Sequence, residues 1–192
     1  METLQQIWER LAKEGYETDK GSVHSYIPIY EKILASYRET AKYFLEIGLF
    51  KGDSLRMWER YFINAMVHGI DCNETPHGGL ADLRTMIESG NHLVNIIDAT
   101  DKKAIDSIYF HIKFDVIIED AGHEMNQQIE LYNIWKRRLT PYGIYIIEDI
   151  QDIDKDFETF QNIDPEKDVT ILDIRASKGR YDDVLCIITK KA

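Results

Sequence analysis

The spacing of apolar positions changes twice along the chain. Residues 3–13 put Leu4, Ile7, Trp8 and Leu11 on one helical face, which predicts an amphipathic helix. A polar, glycine-containing stretch follows at 15–25. Residues 27–37 again read as a helix, with Pro28 tolerated in the first turn. From Tyr43 the pattern becomes short apolar runs separated by helical spacing. It predicts strands at 43–47, 66–70, 92–97, 114–119 and 143–148, with helices at 53–62, 79–89, 101–109 and 124–138. The runs are rich in Ile and Val and alternate little, which suits a sheet covered on both faces. Right-handed crossovers then give a doubly wound, mostly parallel α/β sheet. The last two runs, 169–174 and 184–189, are joined by a polar, turn-like connector with no helical pattern. They predict an antiparallel hairpin at the C-terminal edge of a seven-stranded sheet.

Composition narrows the partners. The chain has 192 residues, 44% hydrophobic and 30% charged, ordinary values for one globular domain. We expect a core over 41–192, preceded by a helical lid segment over 1–40. The net charge of -11 argues against nucleic acid or an anionic membrane as the main partner, because both attract Lys and Arg. A nucleotide in a local pocket is still allowed. Cys72 and Cys186 lack metal-ligand spacing and read as reduced thiols. No apolar run is long enough to span a bilayer, and the first residues do not form a signal peptide. The expected compartment is cytoplasmic, and a homo-oligomer is compatible with all of this.

The chemistry starts at the first strand. Tyr43 to Ile47 carries Glu46 and runs into Gly48 and Gly52, after which Ser54 opens a helix. A strand, a tight glycine turn and a helix let a cofactor approach the backbone. Asp71 closes the next strand, where an acid is placed to hold two ribose hydroxyls. Asp98, after the third strand, is placed to accept from an adenine amino group; Asp98 or Thr100 would also cap the following helix. Two further strands end in acids: Glu119-Asp120, with His123 close behind, and Glu148-Asp149. Ligands of open parallel sheets bind beyond the carboxyl ends of the strands. Asp120, Glu148 and Asp149 would converge there and repel one another unless a cation neutralises them, and oxygen ligands suit Mg²⁺. His123 is placed to take a proton from a substrate hydroxyl.

These residues also carry a family resemblance. The glycine turn, of the form E-x-G-x-x-x-G, and the C-terminal hairpin resemble the Rossmann-like class I S-adenosylmethionine-dependent methyltransferases. Thr18-Asp19-Lys20-Gly21 with His24 and Tyr26, Leu45 to Gly48, Asp120-Ala121-Gly122-His123, and Pro141 to Asp149 resemble the macrocin and mycinamicin type of sugar O-methyltransferase. The likeness spans about residues 18 to 150. Asp53, Tyr142 and Ala121-Gly122 depart from the group's pattern, and the large extra domain of the macrolide enzymes is absent from this sequence.

The resemblance implies S-adenosylmethionine and Mg²⁺ as cofactors and a hydroxyl of a sugar or glycan as acceptor. It implies Asp120, Glu148 and Asp149 as metal ligands and His123, with Asp120, as the catalytic pair. Lys20, Tyr26, Glu46, Gly48, Gly52, Ser54, Asp71, Asp98 and Asp120 would line the cofactor site, with 16–27 closing over it and Lys20 meeting the methionine carboxylate. Three alternatives stay open: methylation of a catechol-like or other small-molecule diol, a nicotinamide-dependent oxidoreductase, and a binding protein that has lost catalysis. The lack of a pyrophosphate-binding glycine fingerprint weighs against the second, and the retained acids and His123 against the third.

Overall fold

The computed structural model describes residues 1–72 and 92–191. The helix expected at 79–89 lies outside them. Among the described residues seven strands form one sheet: β1 (Tyr43–Ile47), β2 (Met66–Asp71), β3 (His92–Ile96), β4 (Phe114–Glu119), β5 (Leu139–Ile147), β6 (Lys167–Asp173) and β7 (Val184–Lys190). Their order is β3-β2-β1-β4-β5-β7-β6. Strands β1 to β5 pair in parallel, and β7 runs antiparallel to both β5 and β6. The mostly parallel sheet and its C-terminal hairpin are therefore as the sequence predicts.

The helices are α1 (Leu4–Lys13), α2 (Asp19–Ser22), α3 (Ile27–Ile33), α4 (Asp53–Tyr61), α5 (Lys102–Ile108), α6 (Met125–Trp135) and α7 (Ile153–Gln161). Both sheet faces are covered, which is why the strands lack alternation. On one face Phe44, Val116, Ile118, Ile144 and Ile146 pack with residues of α1, α3 and α4. On the other Leu45, Ile47, Ile117, Tyr145 and Ile147 pack with residues of α5, α6 and α7. Each such fully buried side chain stabilises the fold by roughly 1.5–3 kcal/mol. Thr3 and Gln6 close a reciprocal capping box that starts α1.

Four local expectations shift. The helix expected to 37 ends at Ile33. Strand β5 starts early, at Leu139, and its pairing with β4 is irregular between Phe114 and Val116. Helix α7 follows the acid pair of β5, where no helix was predicted. The cap of α5 is Asp101, whose Oδ1 accepts the Lys103 and Ala104 amides at 3.0 and 3.1 Å; Asp98 instead bonds Thr100. Cys186 is buried, Cys72 is exposed, and both are free thiols. Among the described residues no helix is long and apolar enough to cross a membrane.

Candidate active site

The glycine turn makes the site possible. Gly48 has φ 89°, and a Cβ there would lie 2.1 Å from the Asp120 carbonyl oxygen. Only glycine lets the end of β4 pass so close to the end of β1. The Asp120 amide donates to the Ile47 carbonyl at 2.8 Å, and the Glu148 amide to the Glu119 carbonyl at 2.9 Å. Backbone pairing thus continues past β4 and β5 and carries their acids to one end of the sheet. Gly52, at φ 82°, precedes α4. Asp71 Oδ2 accepts the Leu49 and Phe50 amides at 2.8 and 3.2 Å, so the acid at the end of β2 fixes the turn after β1.

Lys20 stands at the centre, on α2, and is fully buried. Its Nζ lies 2.6 Å from Asp120 Oδ2, 3.0 Å from Glu148 Oε2 and 3.2 Å from Glu46 Oε1. An ammonium group has three donors, and here it faces three carboxylates. Burial alone would lower the Lys20 pKa, but Asp120, Glu148 and Glu46 outweigh it and hold the group charged. Ser54 donates to Glu46 Oε2 at 2.7 Å. The Tyr30 hydroxyl donates to Glu148 Oε1 at 2.5 Å. Both oxygens of Glu148 are therefore engaged.

Asp149 borders this cluster with φ 55°, a left-handed conformation that Asp adopts more readily than most residues. Its Oδ1 accepts from the Tyr26 hydroxyl at 2.6 Å and lies 3.5 Å from His24 Nδ1. His24 Nδ1 is 2.7 Å from Asp183 Oδ1, so that nitrogen faces only carboxylates and carries a proton. Lys178 donates to the carbonyls of Gly21 and His24 at 2.7 Å each. The connector between β6 and β7 thereby holds the 18–26 segment against the strand ends.

Among the described residues two groups offer ligand atoms all within 4.8 Å of one another: His24, Asp182 and Asp183, and, at the strand ends, Asp120, His123 and Asp149. Burial raises the pKa of Asp120 and of Asp149, against the lowering effect of Lys20 on Asp120 and of the Tyr26 hydrogen bond on Asp149. A further positive charge would relieve that cost, and the two carboxylates suit a hard divalent cation. Glu148 stands outside this group. It is 1% exposed, and burial, with Asp120 and Asp149 adding to it, raises its pKa despite Lys20.

His123 also lines a cavity of about 210 Å³ between the start of α6 and α7. Of the residues expected at the site, Lys20, Glu46, Ser54, Asp120 and Glu148 form one bonded cluster, and Tyr26 with Asp149 adjoins it through the ring contact between Tyr26 and Tyr30, which bonds Glu148. Gly48, Gly52 and Asp71 surround the turn beside it. Asp98 lies exposed beyond β3, two strands from β1. Sequence reasoning missed Tyr30, Asp183 and Gln128, whose Nε2 donates to the Glu148 carbonyl at 2.8 Å. Tyr30 had a signal: it sits one helical turn beyond Tyr26.

Residues 45–150 match the family model of a methyltransferase domain. The chain is similar to the 8-demethyl-8-alpha-L-rhamnosyl tetracenomycin-C 2'-O-methyltransferase of Streptomyces olivaceus, at 30% identity over 70% of this chain and 35% of that enzyme. It is 26% identical to the demethylmacrocin O-methyltransferase of Streptomyces fradiae, over 70% of this chain and 34% of that one. The chain thus spans about a third of the length of these curated relatives. Among solved structures, the MycE methyltransferase of the mycinamycin biosynthetic pathway, in complex with Mg and SAH, has the same fold. The TM-score is 0.71 at 20% identity, over 98% of this chain and 55% of that one. A putative caffeoyl-CoA O-methyltransferase from Staphylococcus aureus gives a TM-score of 0.67 at 16% identity, over 100% of this chain and 93% of its own.

Proposed function

The chain belongs to the methyltransferase domain family, and from that premise we propose that it methylates a hydroxyl of a sugar or glycan, using S-adenosylmethionine and a divalent cation. The sugar acceptor is suggested by relatives named as glycosyl O-methyltransferases. The cation is suggested by the Mg bound to MycE. One observation carries the reading: Asp120, His123 and Asp149 meet within 4.8 Å, and His123 also lines an open cavity.

S-adenosylmethionine supplies an activated methyl on a sulfonium, so the protein has to place a hydroxyl and remove its proton. The turn at Gly48, with Asp71 toward the ribose and Asp98 toward the adenine, is the part of the chain that fits the cofactor. Asp120 and Asp149 are the residues that would hold the cation, which would lower the pKa of an acceptor hydroxyl. Glu148 backs them, because its oxygens already serve Lys20 and Tyr30. Lys20, with all its donors taken by acids, orders the carboxylates rather than reading the methionine end. His123 takes the proton. The 18–26 segment, held by Lys178 and by the His24–Asp183 bond, closes the site over 41–192.

A catechol-like diol would use the same base and cation; the acids and amides around the cavity favour a ring with many hydroxyls. The test is transfer of labelled methyl from S-adenosylmethionine to methyl glycosides and to catechol. Transfer to a glycoside that stops in excess chelator and returns with Mg²⁺ or Mn²⁺ is the expected result. Full turnover in chelator removes the cation from the reading, and transfer to catechol alone removes the sugar.

A further inference from the structure

The cavity beside His123 holds two hydrogen-bond acceptors that the reaction does not use. Gln128, on α6, is 1% exposed. Its Nε2 donates to the Glu148 carbonyl at 2.8 Å, and that partner fixes the amide's orientation, because only the NH₂ end can face a carbonyl. Its Oε1 is then left as a buried acceptor with no partner. Asp156, on α7, is 8% exposed, and its carboxylate makes no hydrogen bond or ion pair among the described residues. A buried acceptor without a donor, as Gln128 Oε1 is, costs roughly 1–3 kcal/mol in general, so such a group either finds a partner or serves a ligand.

We infer that Gln128 and Asp156 form a subsite that reads free hydroxyl groups of the acceptor, other than the one methylated. The inference rests on the sugar-methylating reading above and deepens it. A hydroxyl is the group that donates to both acceptors, whereas an ether or a methylated oxygen has no proton to give. The same wall carries Glu124 and Asp152 against one cation, Lys155, so a ring bearing a phosphate or carboxylate is disfavoured. Met125, Ile150 and Phe160 add apolar surface for the C–H groups of a ring. The volume, about 210 Å³, is below the roughly 300–1,000 Å³ usual for drug-sized ligands. One ring fits, rather than an extended chain. The ligand class is therefore a neutral pyranose with hydroxyls left free near the reacting one.

The test uses the full chain loaded with SAH and Mg²⁺, so that no turnover occurs. SAH affinity is measured by calorimetry. The probes are methyl α-rhamnopyranoside, its three mono-O-methyl derivatives and its 4-phosphate, followed by ligand-observed NMR. The wild type should bind the parent glycoside, and at least one mono-O-methyl derivative should bind about tenfold more weakly, as expected for the loss of a hydrogen bond to a charged group. The phosphate should bind more weakly still. Asp156→Ala should remove most of this discrimination, and the near-isosteric Asp156→Asn, which keeps one acceptor oxygen and loses the charge, should reduce it, while SAH affinity stays within about twofold. Gln128→Met should act in the same direction. Equal binding of all derivatives by the wild type, no glycoside binding with SAH bound, or discrimination unchanged in the variants would overturn the subsite and leave the methyltransferase reading in place. Failure of the wild type to bind SAH would overturn both.

Discussion

The tetrapeptide Ile-Ile-Glu-Asp occurs twice, at 117–120 and at 146–149, on neighbouring strand ends. The two copies have different fates. Ile118 pairs with Ile146 and Glu119 with Ile147, so the repeats are offset by one residue. A one-residue offset sends equivalent side chains to opposite faces of a sheet. Glu119 joins the face of Ile117 and Ile147, fully buried, where Oε1 accepts the Ala121 amide at 3.3 Å and Oε2 has no partner. Burial pushes its pKa up to about 8. Glu148 joins the face of Ile146, where Lys20 and Tyr30 take both its oxygens. Glu119 keeps one backbone hydrogen bond, whereas Glu148 anchors a buried cation. Local sequence does not distinguish them; register does.

What the two ends share should matter more than what separates them. Asp120 and Asp149 both reach the group that contains His123. His123→Ala should lower kcat by about a hundredfold to ten-thousandfold, the usual contribution of a placed general base. SAH affinity should be nearly unchanged, because the imidazole faces the acceptor cavity. Single-turnover transfer at the wild-type rate would show that another group takes the proton.

The next effect separates the copies. Glu148→Gln takes one of three carboxylates from Lys20. Removing one partner of a buried ion pair generally destabilises by about 3–5 kcal/mol. Glu46 and Asp120 remain, so a loss near 3 kcal/mol is expected from urea unfolding, without cofactor and in chelator. The same change at Glu119 should cost far less or nothing. Equal losses at the two sites would remove the distinction drawn from register.

Much of the fold was legible because its signals are local. The apolar runs from Tyr43 to Glu119, the glycine turn and the helix-free gap between the last two runs all survive in the structure. Helix α7 was not legible. Its apolar residues Ile153 and Phe160 are diluted by Asp152, Asp154 and Asp156, yet it forms one wall of the cavity. The acids at the ends of β4 and β5 could be named in advance. Asp120, Glu148 and Asp149 were expected to converge; that the oxygens of Glu148 would go to Lys20 and Tyr30, and Glu119 to the other face, could not be named, because this depends on the register between β4 and β5. Lys20 was equally opaque: its partners Asp120 and Glu148 lie 100 and 128 residues away, and a loop lysine usually reads as a solvated cation.

The smallest expected effect tests the buried Glu119 carboxyl directly. Glu119 has its folded pKa raised to about 8 by burial, with Asp120 and Asp149 adding to the shift against the Ala121 hydrogen bond. An unfolded chain ionises the same group near the usual carboxylate value, roughly 4.3. Between these values the folded state holds a proton that the unfolded state has released. The contribution of Glu119 to stability is therefore fully present below the unfolded pKa and is lost as pH rises toward about 8, levelling off above it. Glu119→Gln cannot ionise and should lack this slope. Relative to wild type it should gain little at pH 5 and gain progressively to pH 8, by on the order of a few kcal/mol or less. Thermal unfolding of both proteins across that range, in chelator, isolates the group, because other titrations cancel in the difference. Parallel curves from pH 5 to 8 would mean that Glu119 is charged in the folded state. Burial at the end of β4 would then not hold a proton on the carboxyl, and the two Ile-Ile-Glu-Asp ends would differ in their partners alone.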